Sequence, residues 1–301
     1  MELLGLFTAD VLPVLLTAGA GWLLAATVRP DARAVSQVAL HVLAPCLVLD
    51  AILQTQSGPS EVARMMGFAF ACLLLPAAAA LAVARWRRWS RARTSAIVLA
   101  VMLTNAGNYG LSVNLLAFGP RALGPASLFF TASAIVSYTL GVLVASLGRL
   151  GPRSALANLV RVPTVWAVLA AFAMQAVGLR LPGPAATSVH LLASACVPVF
   201  LVVLGMQLHA ARLAGPPGPL VLAAALRLGG GALAGLVLAP VFGLEGLARQ
   251  AGLLQAAMPT AVIASLLASE YGIEPAFVTS VVLVTTLASP FTLTPLLVHL
   301  R

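Results

Sequence analysis

The sequence predicts an all-α integral membrane protein with ten transmembrane helices. They fall into two five-helix repeats of opposite orientation, residues 1–150 and 151–301, forming one membrane domain. Three observations predict this. First, 61% of the 301 residues are hydrophobic and only 8% are charged, where a soluble chain carries roughly a quarter charged. At a mean hydropathy of +1.04, the chain lacks the polar surface to cover a water-soluble globule. Second, ten apolar runs can be traced, most near the roughly 20 residues that a helix needs to cross hydrocarbon. Third, the runs divide evenly into two fives, and the two halves carry weak matches.

The runs lie near 7–28, 36–54, 65–84, 95–118, 123–147, 162–180, 186–208, 219–242, 247–269 and 275–298. Short polar segments separate them, among them RPDAR, QTQSGPSE, RWRRWSRAR and HAARLAGPPGP. Connections this short make consecutive helices antiparallel neighbours. The N-terminal run lacks the basic stretch of a secretory signal and continues into a full span, so it is expected to remain in the protein. Cys46, Cys72 and Cys196 all sit within apolar runs and read as small core residues.

The net charge of +9 could suggest a nucleic-acid partner. All 17 basic residues are Arg, however, and they concentrate in short connections, where the positive-inside bias places them. With the N-terminus outside, eleven arginines (Arg29, Arg33, Arg85, Arg87, Arg88, Arg91, Arg93, Arg149, Arg153, Arg161 and Arg212) fall inside. Five (Arg64, Arg121, Arg180, Arg249 and Arg301) fall outside, and Arg227 lies within a span. The prediction is a multi-pass protein of the inner (cytoplasmic) membrane with both termini extracytoplasmic and no nucleic-acid partner.

The internal matches are modest. Pro45 precedes Gln54 by nine residues, as Pro198 precedes Gln207, both in the second span of a half. Leu115-Leu116-Ala117 matches Leu266-Leu267-Ala268 at an offset of 151 residues. Because five is odd, the second half enters the membrane from the opposite side. Duplicated halves of opposite orientation are an architecture of secondary transporters.

The fourth and ninth spans are interrupted. TSAIVLAVMLTNAGNYGLSVNLLAFG places Thr104, Asn105, Gly107, Asn108 and Gly110 in mid-span. Glycines weaken the helix, and the asparagine amides need partners in hydrocarbon. QAGLLQAAMPTAVIASLLA places Gln255, Pro259 and Thr260 in the middle of the ninth, and the 151-residue offset sets Pro259 against Asn108. Paired interruptions in two halves point to a solute site, where freed backbone groups can meet a ligand. A kink accommodated by neighbouring helices is the alternative for Pro259 taken alone.

TNAGNYGLSVNLLAFGP resembles the signature stretch of the auxin efflux carrier family, and MPTAVIASLLASEYGIEPAFVTSVVLVTTLASPFTLTPLL resembles that family's C-terminal pattern. Ser112 stands where many relatives have Pro. The resemblance implies ten spans in two inverted repeats, crossed broken helices 4 and 9, and export or uptake of small organic anions. Asn105, Gly107, Asn108 and Gly110 would stand on one side of the crossing and Pro259 on the other. It also suggests a homodimer.

Arg227, deep in the eighth run, is a candidate counter-charge for a carboxylate; the alternative is snorkelling, or pairing with helix carbonyls beside the glycines at 229–231. Asp50 is a candidate proton-coupling group; the alternative is a partly hydrated acid partnered by Gln54 or Arg64. Glu270 and Glu274 read as connection residues, and Gln207 and His209 as interfacial. The four histidines form no HxxxH or HExxH pattern, so no metal or other cofactor is expected. The sequence has no nucleotide-binding GxxxxGK[ST] loop, and one intramembrane aspartate cannot form a protease dyad. A non-enzymatic carrier or facilitator of a small organic anion (substrate-binding candidates Asn105, Gly107, Asn108, Gly110, Gln255, Pro259, Thr260 and Arg227) is therefore the expectation. An H+- or Na+-coupled exchanger of the same architecture and a transport-inactive sensor or scaffold are the alternatives.

Overall fold

The computed structural model describes residues 8, 12–55, 58–146 and 162–300. Arg149, Arg153, Arg161 and Arg301 of the charge tally, and the start of the first run, lie outside the described residues. Among those residues the protein is helical throughout, apart from turns and one isolated backbone bridge.

Every apolar run of the sequence contains helix. In chain order these are α1 (Leu12–Thr27), α2 (Ala32–Gln54), α3 (Pro59–Trp86), α4, α5 (Pro120–Ala145), α6 (Pro163–Ala176), α7 (Gly183–Ala210), α8 (Pro217–Val241), α9 and α10 (Pro275–Leu300). Helix α4 has a first half, Arg91–Met102, and a second half comprising Ala106–Leu111 and Ser112–Phe118. Helix α9 has a first half, Gly246–Ala256, and a second half, Val262–Tyr271. Helices α2, α3, α5, α7, α8 and α10 are long and apolar enough to cross a membrane; α1, α6 and the second half of α9 are shorter apolar helices.

The ends follow local chemistry. Pro59, Pro163 and Pro217 open their helices, where a missing N–H costs nothing. The Asp31 carboxylate accepts from the Arg33 N–H at 2.9 Å, and the Ser90 hydroxyl accepts from the Arg93 N–H at 3.2 Å. Gly272, in the left-handed region at φ 67°, ends α9. Large apolar side chains remain exposed along the helices (Leu191, Val221, Val241, Phe291), a pattern that suits hydrocarbon rather than water.

The helices pack as two bodies. Helices α1, α2, α6 and α7 pack on one another, and α3, α4, α5, α8, α9 and α10 form the second body. The bodies meet where α2 lies against α5 and α7 against the second half of α4. Each half of the chain gives its first two helices to one body and its last three to the other. π-Helical turns at Ala39–Leu43, Ala106–Leu111, Ser137–Gly141 and Leu226–Gly230 lie in α2, α4, α5 and α8; such turns are frequent at functional sites.

A candidate solute site at two crossed helices

The first half of α4 stops at Met102, and Leu103 is extended. The first half of α9 stops at Ala256, and helix resumes at Val262 after an extended Ala261. Interrupted helices leave carbonyl and N–H groups without intrahelical partners, which is costly away from water. Here the two interruptions satisfy each other. The Asn105 N–H donates to the Pro259 carbonyl at 2.7 Å and the Ala261 N–H to the Leu103 carbonyl at 2.8 Å, so Thr104 and Thr260 face each other in an antiparallel bridge. The side chains are reciprocal too. The Thr104 hydroxyl lies 3.3 Å from both the Gln255 and Met258 carbonyls. The Thr260 hydroxyl donates to the Ala100 carbonyl at 2.9 Å.

At the contact itself, Thr104 stands opposite Thr260. Gly107, Asn108 and Gly110 lie within the π-helical turn after the break rather than in the break itself. Glycine weakens a helix by only about 1 kcal/mol, too little to interrupt one packed on all sides. Ser112 continues the helix, and its hydroxyl donates to the Asn108 carbonyl at 2.9 Å.

Beside the bridge lies a cavity of about 110 Å³ between the two bodies. Asn105, Gly107 and Asn108 from α4 and Ala261, Val262 and Ile263 from α9 line one wall. Both second halves therefore begin at this cavity, and the N-terminal end of a helix favours negative charge. Three buried polar atoms belonging to its lining lack a hydrogen-bond partner: Asn105 Nδ2, Thr164 Oγ1 and Gln207 Oε1. No carboxylate lines it among the described residues.

The remaining candidates stand apart from the cavity. Gln255 is fully buried, and its amide donates to the Ala106 carbonyl at 3.1 Å and the Ala126 carbonyl at 3.2 Å, tying α9 to α4 and α5. Gly110 makes room for it, because a Cβ there would lie 2.0 Å from Gln255 Oε1. Pro259 and Thr260 belong to the bridge. Arg227 is absent from the lining; its guanidinium donates to the Val101 carbonyl at 2.8 Å and to the Ala256 carbonyl. Of the two sequence readings for this arginine, the geometry is that of pairing with helix carbonyls.

Asp50 lines a separate, larger cavity of about 1050 Å³ near the other ends of α2 and α7. Its carboxylate accepts from Gln54 at 2.8 Å and lies 3.1 Å from His190 Nδ1, while Arg64 donates instead to the Gly243 carbonyl. Glu274 pairs with Arg93, whose guanidinium lies 5.0 Å from the centre of the Phe277 ring.

The cavity also recruits residues that the sequence left unassigned: His41, Ser133, Ser137, Tyr138 and Thr164, with Gln207 turned inward rather than merely interfacial. Ser133 and Ser137 carried a signal, being one helical turn apart in a run whose hydroxyl residues recur at Ser127, Thr131, Ser133 and Ser137. Gln207 had the repeat match with Gln54. Thr164 follows Pro163 at a helix start and offered none.

Crossed discontinuous helices, flanked by a largely apolar cavity with a few convergent polar side chains at the boundary of two helical bodies, are the arrangement of a membrane transport protein. Comparison with known proteins agrees. A family model described as "Membrane transport protein" matches residues 149–297. An "Uncharacterized transporter" of Methanothermobacter thermautotrophicus is 26% identical over 260 residues, covering 86% of each chain. These matches show similarity to membrane transport proteins and agree with the resemblance of the motifs around Asn105 and Pro259 to the auxin efflux carrier family.

Proposed function

We propose that the protein is a secondary carrier or facilitator for a small organic anion, a carboxylate, across the cytoplasmic membrane. In this reading all ten helices cross the bilayer as two inverted five-helix repeats, with α3–α5 and α8–α10 moving as one body against α1, α2, α6 and α7. The distribution of each half between the two bodies supports that division. One observation carries the choice of solute. The cavity gathers two half-helix N-termini and the unpaired Asn105 amide, with no carboxylate among its described lining. Such a wall attracts an anion, repels a cation and leaves a buried donor that a carboxylate oxygen can satisfy.

The cavity lies toward the N-terminal end of α2 and the C-terminal end of α7, where Ser36, His41 and Gln207 line it. With both chain termini outside, as this reading has it, that end is the cytoplasmic one. Reconstitution into liposomes, with uptake of labelled dicarboxylates and aromatic acids, tests the proposal. Saturable uptake of an acid, absent from protein-free liposomes, is expected. Binding without flux would mark a sensor, and flux confined to cations would reject the anion assignment.

A further inference from the structure

Arg227 has 0% exposure, and no carboxylate lies within ion-pair distance of it among the described residues. A guanidinium stays charged at any physiological pH, so its charge must be met by something else. The hydrogen bonds of the guanidinium identify the partner. Val101 lies in the last turn of the first half of α4, and Ala256 is the final residue of the first half of α9. The guanidinium thus bridges the C-terminal ends of both interrupted helices. Each such end carries roughly −0.5 elementary charge, so two of them match one cation. In carriers with discontinuous helices, unwound carbonyls and half-helix C-terminal ends are where a coupling cation is coordinated. The backbone here is shaped for Arg227: a Cβ on Gly231 would fall 2.1 Å from its Nη2 and 2.4 Å from the Ala256 carbonyl oxygen. Gly231 therefore leaves room for α8, the guanidinium and the end of α9 to converge.

We propose that Arg227 is a tethered cation that takes the place of a coupling ion at the crossing, so the crossing is held and operates without sodium. Arg227 is then a positioning residue. It fixes the two first halves against each other, and through them the break from which Asn105 faces the cavity. The inference does not rest on the solute being an anion, since it concerns the opposite pole of the crossing.

Thermal unfolding of the purified full-length protein tests it without any solute. The wild-type midpoint is expected to be the same in sodium and in choline chloride at equal ionic strength. Arg227→Ala is expected to lower the midpoint by several degrees. Millimolar methylguanidinium should restore much of that loss, while methylurea, planar and of similar size but neutral, restores none. Arg227→Lys should retain most of the wild-type midpoint. A saturable sodium-dependent rise in the wild-type midpoint overturns the proposal, as does equal restoration by methylurea, which would make shape rather than charge the requirement. If Arg227→Ala yields no folded protein, the wild-type salt comparison and Arg227→Lys decide the matter: a lysine variant as unstable as Arg227→Met refutes the role of charge. Uptake experiments are separate, so failure of the anion assignment leaves this result readable.

Discussion

Replacing Asn105 separates recognition from folding more cleanly than any other change at the crossing. The residue is 4% exposed, yet its Nδ2 has no hydrogen-bond partner. Its structural contact is made by the backbone, through the 2.7 Å bond from its N–H to the Pro259 carbonyl, and alanine keeps that bond. Asn105→Ala is therefore expected to leave the unfolding midpoint within a few degrees of wild type. Solute binding should suffer. A hydrogen bond to a charged group is worth about 1.5–3 kcal/mol, so affinity for a carboxylate should fall about 10- to 150-fold. Asn105→Asp is harsher. Two like charges about 4 Å apart at an effective dielectric constant near 20 repel by about 4 kcal/mol, a loss of about 1000-fold. Binding is measured by solute-induced shifts of the unfolding midpoint over a panel of acids, and flux by uptake into proteoliposomes. Normal affinity in both variants would refute the cavity as the solute site. Normal affinity in the alanine variant alone would assign recognition to the half-helix dipoles.

Further expectations follow from the surroundings of the crossing. Gly110→Ala puts a methyl 2.0 Å from Gln255 Oε1, and Gln255 is pinned by the Ala106 and Ala126 carbonyls. Overpacking of this kind costs about 1–3 kcal/mol, to be read as a lowered unfolding midpoint. Asp50 lines the separate cavity with Gln54, lies beside His190, and touches none of the crossing's groups. Asp50→Asn is therefore expected to leave uptake and its pH profile unchanged, and a flattened profile would restore Asp50 as a proton carrier. Arg87→Cys and Ser60→Cys, each in a background lacking the native cysteines, report orientation through an impermeant thiol reagent. Arg87→Cys should be labelled from the cytoplasm and Ser60→Cys from outside; the reverse pattern inverts the topology.

The helices were legible because the bilayer imposes a simple rule on sequence: each crossing needs a long apolar run, and this chain interrupts its runs only with short polar segments. The two discontinuities were legible for the same reason. Asparagine, glycine and proline in mid-span are expensive unless the backbone there has another partner. Register was less accessible. Asn108 and Pro259 attract attention as residue types, but the contact is made by backbone groups of Leu103, Asn105, Pro259 and Ala261. Backbone pairing leaves little trace in side-chain identity. The roles of Gln255 and Arg227 were hidden by another ambiguity. A buried polar side chain reads the same from sequence whether it faces a solute or a neighbouring carbonyl, and here both face carbonyls. The remaining cavity wall comes from α2, α5, α6 and α7, whose proximity to the crossing is a tertiary fact.

The crossing has electrical polarity, and that polarity bears on direction. Two half-helix N-termini meet at the cavity, while the two C-terminal ends meet at Arg227. The partial charges of the four ends cancel, leaving the guanidinium as the net charge of the empty crossing. A bound monovalent carboxylate brings the loaded crossing to neutrality. If the body containing α3–α5 and α8–α10 moves across the field, the loaded step carries little charge and the empty step carries about one positive charge. Moving one charge through a full potential difference is worth about 2.3 kcal/mol per 100 mV. For the carboxylate carrier proposed above, a negative interior would draw the empty body inward, where it reloads, so net export is the expected outcome. Proteoliposomes preloaded with a transported acid and given a potassium diffusion potential, negative inside, should show accelerated efflux. At zero net potential, exchange of labelled for unlabelled acid should proceed with little sensitivity to voltage, because it uses only the loaded step. Exchange as voltage-dependent as net efflux would place the moving charge elsewhere and refute this assignment.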